Sequence, residues 1–286
     1  MVYCEPMIAL KEWVDRRSRV LVMGAVNVTP DSFYDGGRFF RHDVAIERGL
    51  RMAGEGADIV DVGGESTRPG SRPIPAQEEM DRVLPVVEGI RSRSPVHVSI
   101  DTTKADVAEE AVSLGAGIIN DISALRFDER MAAVAARTGA FVVLMHMQGR
   151  PETMQQEPVY ADVVEEIRSF LAERIRATVE AGIPEERIFL DPGIGFGKTL
   201  DHNLSILRGL ARLIDLGRPI LVGLSRKSFL GTIVDAPPRE RIEATIAANA
   251  VAILNGASII RVHDAKEGRR TADVAARLRS HVAASH

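Results

Sequence analysis

Eight short apolar runs, rich in β-branched residues, recur along the 286-residue chain: "RVLVMGAVN", "ADIVDVGG", "PVHVSID", "GIINDIS", "AFVVLMH", "RIFLDPG", "PILVGLS" and "SIIRVHD". Each reads as a buried parallel strand. Between them lie segments of helical period such as "DVAIERGLRMAGEG", "TKADVAEEAVSLG", "ADVVEEIRSFLAERIRATVEAG" and "RERIEATIAANAVAILNG". Several end in the glycine expected just past a helix. Eight strand-helix units without a Ser/Pro-rich linker predict a single-domain (β/α)₈ barrel, for which about 250 residues is typical. An open doubly wound sheet is the alternative. No repeat exists at the level of individual residues, so the eightfold pattern is one of hydrophobicity only. Residues 1–18 precede the first strand and are expected to cap the barrel floor, leaving 19–286 as the barrel domain.

Composition narrows the function classes. Hydrophobic residues at 45% and charged ones at 27% suit a globular chain with a large core, which argues against disorder. The formal net charge is -4 with no block of like charge, so neither a nucleic-acid nor a membrane surface is expected. Cys4 is the only cysteine, which excludes an intrachain disulfide framework and fits a reducing cytosol. The first residues lack a secretory signal pattern and no run is long enough to span a bilayer, so a cytoplasmic protein is expected.

In such a barrel the chemistry sits at the C-terminal ends of the strands, and the polar residues of this sequence cluster there. Strand alternation places Leu21, Met23, Ala25 and Asn27 on one face. The same holds for Ile59 with Asp61, for His97 with Ser99 and Asp101, and for Ile118 with Asn120. Phe189 pairs with Asp191, and Ile259 with Arg261 and His263. If these faces point inward, one polar rim results. A single Asp at a strand end usually caps a helix, but six strands sharing the pattern point to a site. Asp121 and Asp264 fall on the opposite parity and read as structural, and His97 and His146 read as core histidines.

Three stretches require their own reading. "DPGIGFGKT" has glycines and a lysine after a strand, but Pro192 and Lys198 occupy positions where the phosphate-loop patterns need glycine. Its glycines suit either a turn or a close approach of backbone to a flat ligand beside Asp191 and Phe196. In "GLSRKSF", Lys227 shares the parity of Ser225, and Arg226 with Lys227 would otherwise be a solvated charge pair. In "RVHD", two residues at ~3.3 Å rise place Arg261 and His263 about 6.6 Å apart on one face, which suits an oxyanion or phosphate.

Taken together, "NVTPDSFYDGG", "GGESTRPG", "SIDTTK", "NDIS", "DPGIGFGK", "SRKSF" and "RVHD" stand in one order, each after an expected strand. In these motifs the chain resembles the dihydropteroate synthases, pterin-binding barrels of folate biosynthesis, from about Val20 to His263. Tyr34 and Ala265 depart from the pattern without removing a polar group. The resemblance implies a transferase that joins 7,8-dihydropterin-6-ylmethyl diphosphate to p-aminobenzoate and releases pyrophosphate in the presence of Mg²⁺. It also implies a homodimer and a sulfonamide target.

It further implies site roles. Asp191 would accept from the pterin ring N–H and amino group, with Asp61, Asp101, Asn120, Met145, Gly223 and Lys227 completing that pocket. Arg261 and His263 would stabilise the leaving pyrophosphate beside a metal held in part by Asn27, so Asp101, Lys227, Arg261 and His263 are the expected catalytic residues. Phe33, Thr67 and Pro69, with Phe196, Lys227 and Ser228, would receive p-aminobenzoate, and Ser66 and Arg68 would respond to the pyrophosphate charge. The rival readings are a non-catalytic family member that binds pterin and a corrinoid-dependent methyltransferase domain. The latter has no need of "ESTRPG", "SRKSF" or the Arg261/His263 pair.

Overall fold

The apolar runs become eight parallel strands in a computed structural model that describes residues 10, 12, 13, 19–29, 38–68 and 70–283. They are β1 (Leu21–Asn27), β2 (Ile59–Gly63), β3 (His97–Asp101), β4 (Ile118–Asp121), β5 (Phe141–Met145), β6 (Ile188–Asp191), β7 (Leu221–Gly223) and β8 (Ile259–Val262). Their order is β6-β5-β4-β3-β2-β1-β8-β7. The seam between β6 and β7 is drawn together by a parallel bridge from Leu190 to Ile220 and by Leu190 N donating to Pro219 O at 3.0 Å. The sheet therefore curls into a nearly closed barrel, not an open wound sheet.

The helices are α1 (Arg38–Gly54), α2 (Ala76–Arg91), α3 (Ala105–Ser113), α4 (Met131–Thr138), α5 (Val163–Glu180), α6 (Leu200–Gly209), α7 (Ser228–Val234), α8 (Ile242–Leu254) and α9 (Ala265–Ala283). Local chemistry sets several ends. Asp162 accepts from Val164 N and Glu165 N at the start of α5, and Thr199 with His202 forms a capping box on α6. Gly139 stops α4 in the left-handed conformation at φ 71°. Among the described residues no helix is long and apolar enough to cross a membrane.

Strand alternation divides the apolar residues into two cores. Val22, Val60, Val98, Ile119, Val142, Leu190, Val222 and Ile260 face the helices. Leu21, Met23, Ile59, Ile118, Phe141, Val143, Phe189, Leu221 and Ile259 fill the barrel, together with Leu10 and Trp13 from the N-terminal segment. Phe141 and Phe189 stack with centroids 5.4 Å apart, and Trp13 meets Phe189 edge-on at 6.3 Å.

Register carries this arrangement upward. Ala25 lies beside Asp61, Asp61 beside Ser99, Asp101 beside Asn120, Met145 beside Asp191 and Gly223 beside Arg261. The inward positions turn from apolar to polar at the C-terminal ends of the strands.

Candidate active site

Four of the rim residues form one hydrogen-bonded network. Asp61 Oδ2 accepts from Arg261 Nε at 2.6 Å and from Asn120 Nδ2 at 3.1 Å, while Arg261 Nη2 donates to Asp101 Oδ2 at 2.8 Å. Asp61 is fully buried and its Oδ1 has no hydrogen bond among the described residues. Burial acts to lower Arg261, but the charges of Asp61 and Asp101 outweigh it and hold the guanidinium firmly protonated. Asp101 is pushed upward by burial and by the charges of Asp61, Glu79 and Asp121, with Arg261 opposing. In the free protein, Arg261 is thus committed to two carboxylates and is not waiting unpaired for an anion.

Across the rim, Asp191 Oδ1 accepts from Gly193 N at 2.7 Å, and burial raises its pKa. The second oxygen has no hydrogen bond among the described residues. The loop behind it needs glycine: Gly193 has φ 66°, and a Cβ there would come within 1.8 Å of His146 O. Lys227 Nζ donates to Ile194 O and lies 4.6 Å from the centroid of the Phe196 ring. Burial lowers Lys227 to about 8, against the opposing charge of Asp191. Phe196 also packs on an apolar group of Ile122, Met145, Met147 and Met154.

At the far side, His263 N donates to Ser225 Oγ at 3.2 Å, and His263 Nδ1 lies 3.0 Å from the same hydroxyl. A hydroxyl that donates to Nδ1 leaves the ring proton on Nε2. Burial, helped by the charge of Arg261, lowers His263 to about 4, so near neutrality it is an uncharged hydrogen-bonding group and Arg261 carries the positive charge alone. Arg226 is not a solvated charge. It grips Asp264 through Nε at 2.9 Å and Nη2 at 2.8 Å, tying the loop after β7 to the end of β8. Asp121 is occupied by Ser123 N and Leu125 N, which fold the turn after β4.

The structure brings Asp61, Asp101, Asn120 and Arg261 together, and separately Asp191, Lys227, Phe196 and Met145. Asn27 ends β1 opposite Gly63, partly exposed and with no side-chain hydrogen bond among the described residues. Ser66, Thr67 and Arg68 lie in the loop after β2, whose Gly70 N donates to Pro151 O at 3.1 Å in the loop after β5. Ser228 opens α7, next to Lys227. Phe33, Pro69, Tyr34 and Cys4 lie outside the described residues.

Other buried polar residues escaped the strand-parity reading. Lys198 is 3% exposed and bonds His146 Nδ1 at 3.0 Å and Phe196 O at 2.8 Å; burial lowers it to about 7. Its only sequence signal was its failure to fit a phosphate loop. Met147 shares the parity of Met145, but Met154 sits in a turn without periodicity. Among the described residues no group of three or more His, Cys, Asp or Glu could hold a metal ion.

A polar rim with an open acceptor above an apolar barrel suits a planar, donor-rich heterocycle, and the comparisons agree. Residues 23–263 match the model of a family described as pterin binding enzyme. The chain is 48% identical to the dihydropteroate synthase of Escherichia coli over 246 residues, covering 86% of this chain and 87% of that one. Among solved structures, a Yersinia pestis dihydropteroate synthase in a sulfonamide drug complex superposes with a TM-score of 0.88 at 45% identity, covering 92% and 96% of the two chains. A Xanthomonas albilineans dihydropteroate synthase with 4-aminobenzoic acid gives 0.85 at 44% identity, covering 90% and 92%. With its barrel and motifs matched across nearly the full length of these relatives, the chain belongs to the dihydropteroate synthase family of pterin-binding enzymes.

Proposed function

We propose the following placement of substrates in this transferase, a dihydropteroate synthase that condenses 7,8-dihydropterin-6-ylmethyl diphosphate with p-aminobenzoate in folate biosynthesis. The observation that carries it is Asp191, a carboxylate only 7% exposed whose second oxygen has no hydrogen bond among the described residues. A pterin presents a ring N–H beside an amino group, and such an acceptor satisfies that edge. Asp61, Asn120, Asp101, Gly223 and Met145 surround the heterocycle, and Lys227 meets its remaining polar atoms.

Arg261 then faces the diphosphate end. As the carbon–oxygen bond breaks, its electron pair leaves with pyrophosphate, and fixed charge at Arg261 with an N–H donor at His263 stabilises that leaving group. The amine of p-aminobenzoate forms the new carbon–nitrogen bond and gives up a proton. The arrangement needs no side-chain nucleophile. Phe196, Lys227, Ser228 and Thr67, together with Phe33 and Pro69, receive the aromatic acid, while Ser66 and Arg68 respond to the pyrophosphate.

Magnesium fits this end of the site as a minor protein ligand. Asn27 offers an amide oxygen with no hydrogen bond among the described residues, suited to an ion held chiefly by diphosphate oxygens and water. Once bound, the ion offsets charge on the leaving group. We further place the enzyme in the cytoplasm, as a sulfonamide target. Residues 1–18 close the barrel floor, supported by the burial of Leu10 and Trp13. A homodimer is supported by the exposed apolar side chains of Ile246, Val251 and Leu254 on α8 with Val274 and Leu278 on α9.

The deciding experiment follows pyrophosphate on adding each substrate alone and then both with Mg²⁺. Release with both is expected; pterin binding without release would identify a non-catalytic family member.

A further inference from the structure

A salt-bridged triad lies beneath the loop after β2, outside the network described above. Glu79, on α2, is fully buried, and its Oε2 accepts from Lys104 Nζ at 2.5 Å. The same ammonium donates to Glu65 Oε2 at 2.8 Å, and that oxygen also accepts from Ile74 N at 2.7 Å. Glu65 and Ile74 flank the stretch 66–73, so one carboxylate oxygen closes the base of the loop and Lys104 fastens that base to the barrel. Gly64 makes the arrangement possible: a Cβ there would come within 2.7 Å of Val83 Cγ1 and 3.0 Å of Glu79 Cγ on α2. Arg82 adds a second fastening by donating to Gly64 O at 2.8 Å.

The charges make the link a firm one. Burial alone would lower Lys104, but the hydrogen bonds it donates to Glu65 and Glu79 outweigh it and keep the ammonium charged. Burial raises Glu79, opposed first by the hydrogen bond and charge of Lys104 and then by a hydrogen bond with Thr102, so Lys104 is the cation that stabilises this carboxylate. Lys104 also follows Asp101 by three residues, at the start of α3, and so joins the loop base to the strand that carries a rim carboxylate.

We propose that Lys104, held between Glu79 and Glu65, is a positioning residue that fixes the root of the 66–73 loop and thereby sets the pocket for p-aminobenzoate. Apart from the charge of Glu79 on Asp101, the triad acts on the site through Ser66, Thr67 and Arg68. The root of the loop is thus fixed at Glu65 and Ile74, and beyond it Gly70 N donates to Pro151 O at 3.1 Å. This inference rests on the assignment of that loop to p-aminobenzoate made above.

Hydrogen exchange of the backbone N–H groups of Ser66, Thr67, Arg68, Gly70, Ser71, Arg72 and Ile74 and steady-state kinetics test it on the enzyme. Lys104→Met strands a buried carboxylate, so the double variant Glu79→Gln with Lys104→Met is measured beside it, and Lys104→Arg serves as the rescue. Loss of a charged hydrogen bond predicts loop exchange faster by roughly tenfold or more. KM for p-aminobenzoate should rise by a similar factor, with KM for the pterin diphosphate changing far less and Lys104→Arg restoring most of the loop exchange and of the p-aminobenzoate KM. Unchanged loop exchange in the double variant would overturn the anchor. Faster exchange with an unchanged KM for p-aminobenzoate would instead overturn the placing of that substrate at the loop, and with it the positioning role.

Discussion

The barrel floor and the barrel rim are built from the same strands and the same inward parity, yet they behave as different materials. Phe189 on β6 is fully buried among apolar side chains, and two residues later Asp191 keeps an acceptor without a partner among the described residues. On β8, Ile259 packs into the floor while Arg261 is held by two carboxylates. One step of two residues along a strand separates groups that stabilise the fold from groups that would cost stability without a ligand. Interior alternation is therefore shared, and what changes along each strand is whether water and ligand can reach.

The sharpest way to break this comparison is Phe189→Ala. A fully buried aromatic removed from the floor should cost about 3–5 kcal/mol of stability, while KM for both substrates stays unchanged in the protein that remains folded. Denaturant titration with kinetics checks this; a changed KM at constant stability would erase the distinction between floor and rim.

Arg261→Ala is the converse test. Pyrophosphate release should fall by roughly 10²–10³-fold. Folding is affected too, because Asp61 and Asp101 lose their shared cation. Asp101 is already raised by burial and neighbouring carboxylates, and removing Arg261 raises it further. A raised carboxylate contributes stability below its unfolded pKa and loses it as pH rises through the folded value. The melting temperature of the variant should therefore drop more steeply toward alkaline pH than that of the parent, and parallel pH curves would refute the shared-cation account.

Lys227 sharpens the contrast through pH. Burial lowers it from the ordinary 10.5 to about 8 in the folded protein. Between those values the unfolded chain binds more protons, so stability rises with pH there. Activity should move the opposite way, since kcat/KM for the pterin diphosphate loses the ammonium above pH 8. A rate profile that stays level to pH 10 would remove Lys227 from the pocket.

The smallest effect is expected at Ser99, between floor and rim. Its hydroxyl is fully buried and has no hydrogen bond among the described residues, so Ser99→Ala should change stability by only about 0–1 kcal/mol, toward greater stability. A loss of several kcal/mol, measured by denaturant unfolding, would show that the hydroxyl is engaged.

The barrel was legible in the sequence because burial on both faces imposes apolar β-branched runs, and alternation within them imposes the inward face. The same rule assigned Asp61, Asp101, Asn120, Asp191 and Arg261 to one rim. Glu79 shows what could have been found but was not: it falls on the apolar stripe of α2 with Val83, Val86, Val87 and Ile90, where an acidic residue needs a cation. That cation, Lys104, lies 25 residues away, and nothing in local spacing names it.

What the sequence determined by itself is therefore the strand-helix alternation, the family motifs and the types of side chain at each strand end, since these follow from periodicities of 2.0 and 3.6 residues acting locally. Only the tertiary structure decided the pairings. Arg261 meets Asp61 across 200 residues and Asp101 across 160, so its partners depend on β8 closing against β1 and β2 against β3. His263 loses its charge for the same reason: burial and a neighbouring guanidinium set its pKa, and both exist only once the barrel has closed.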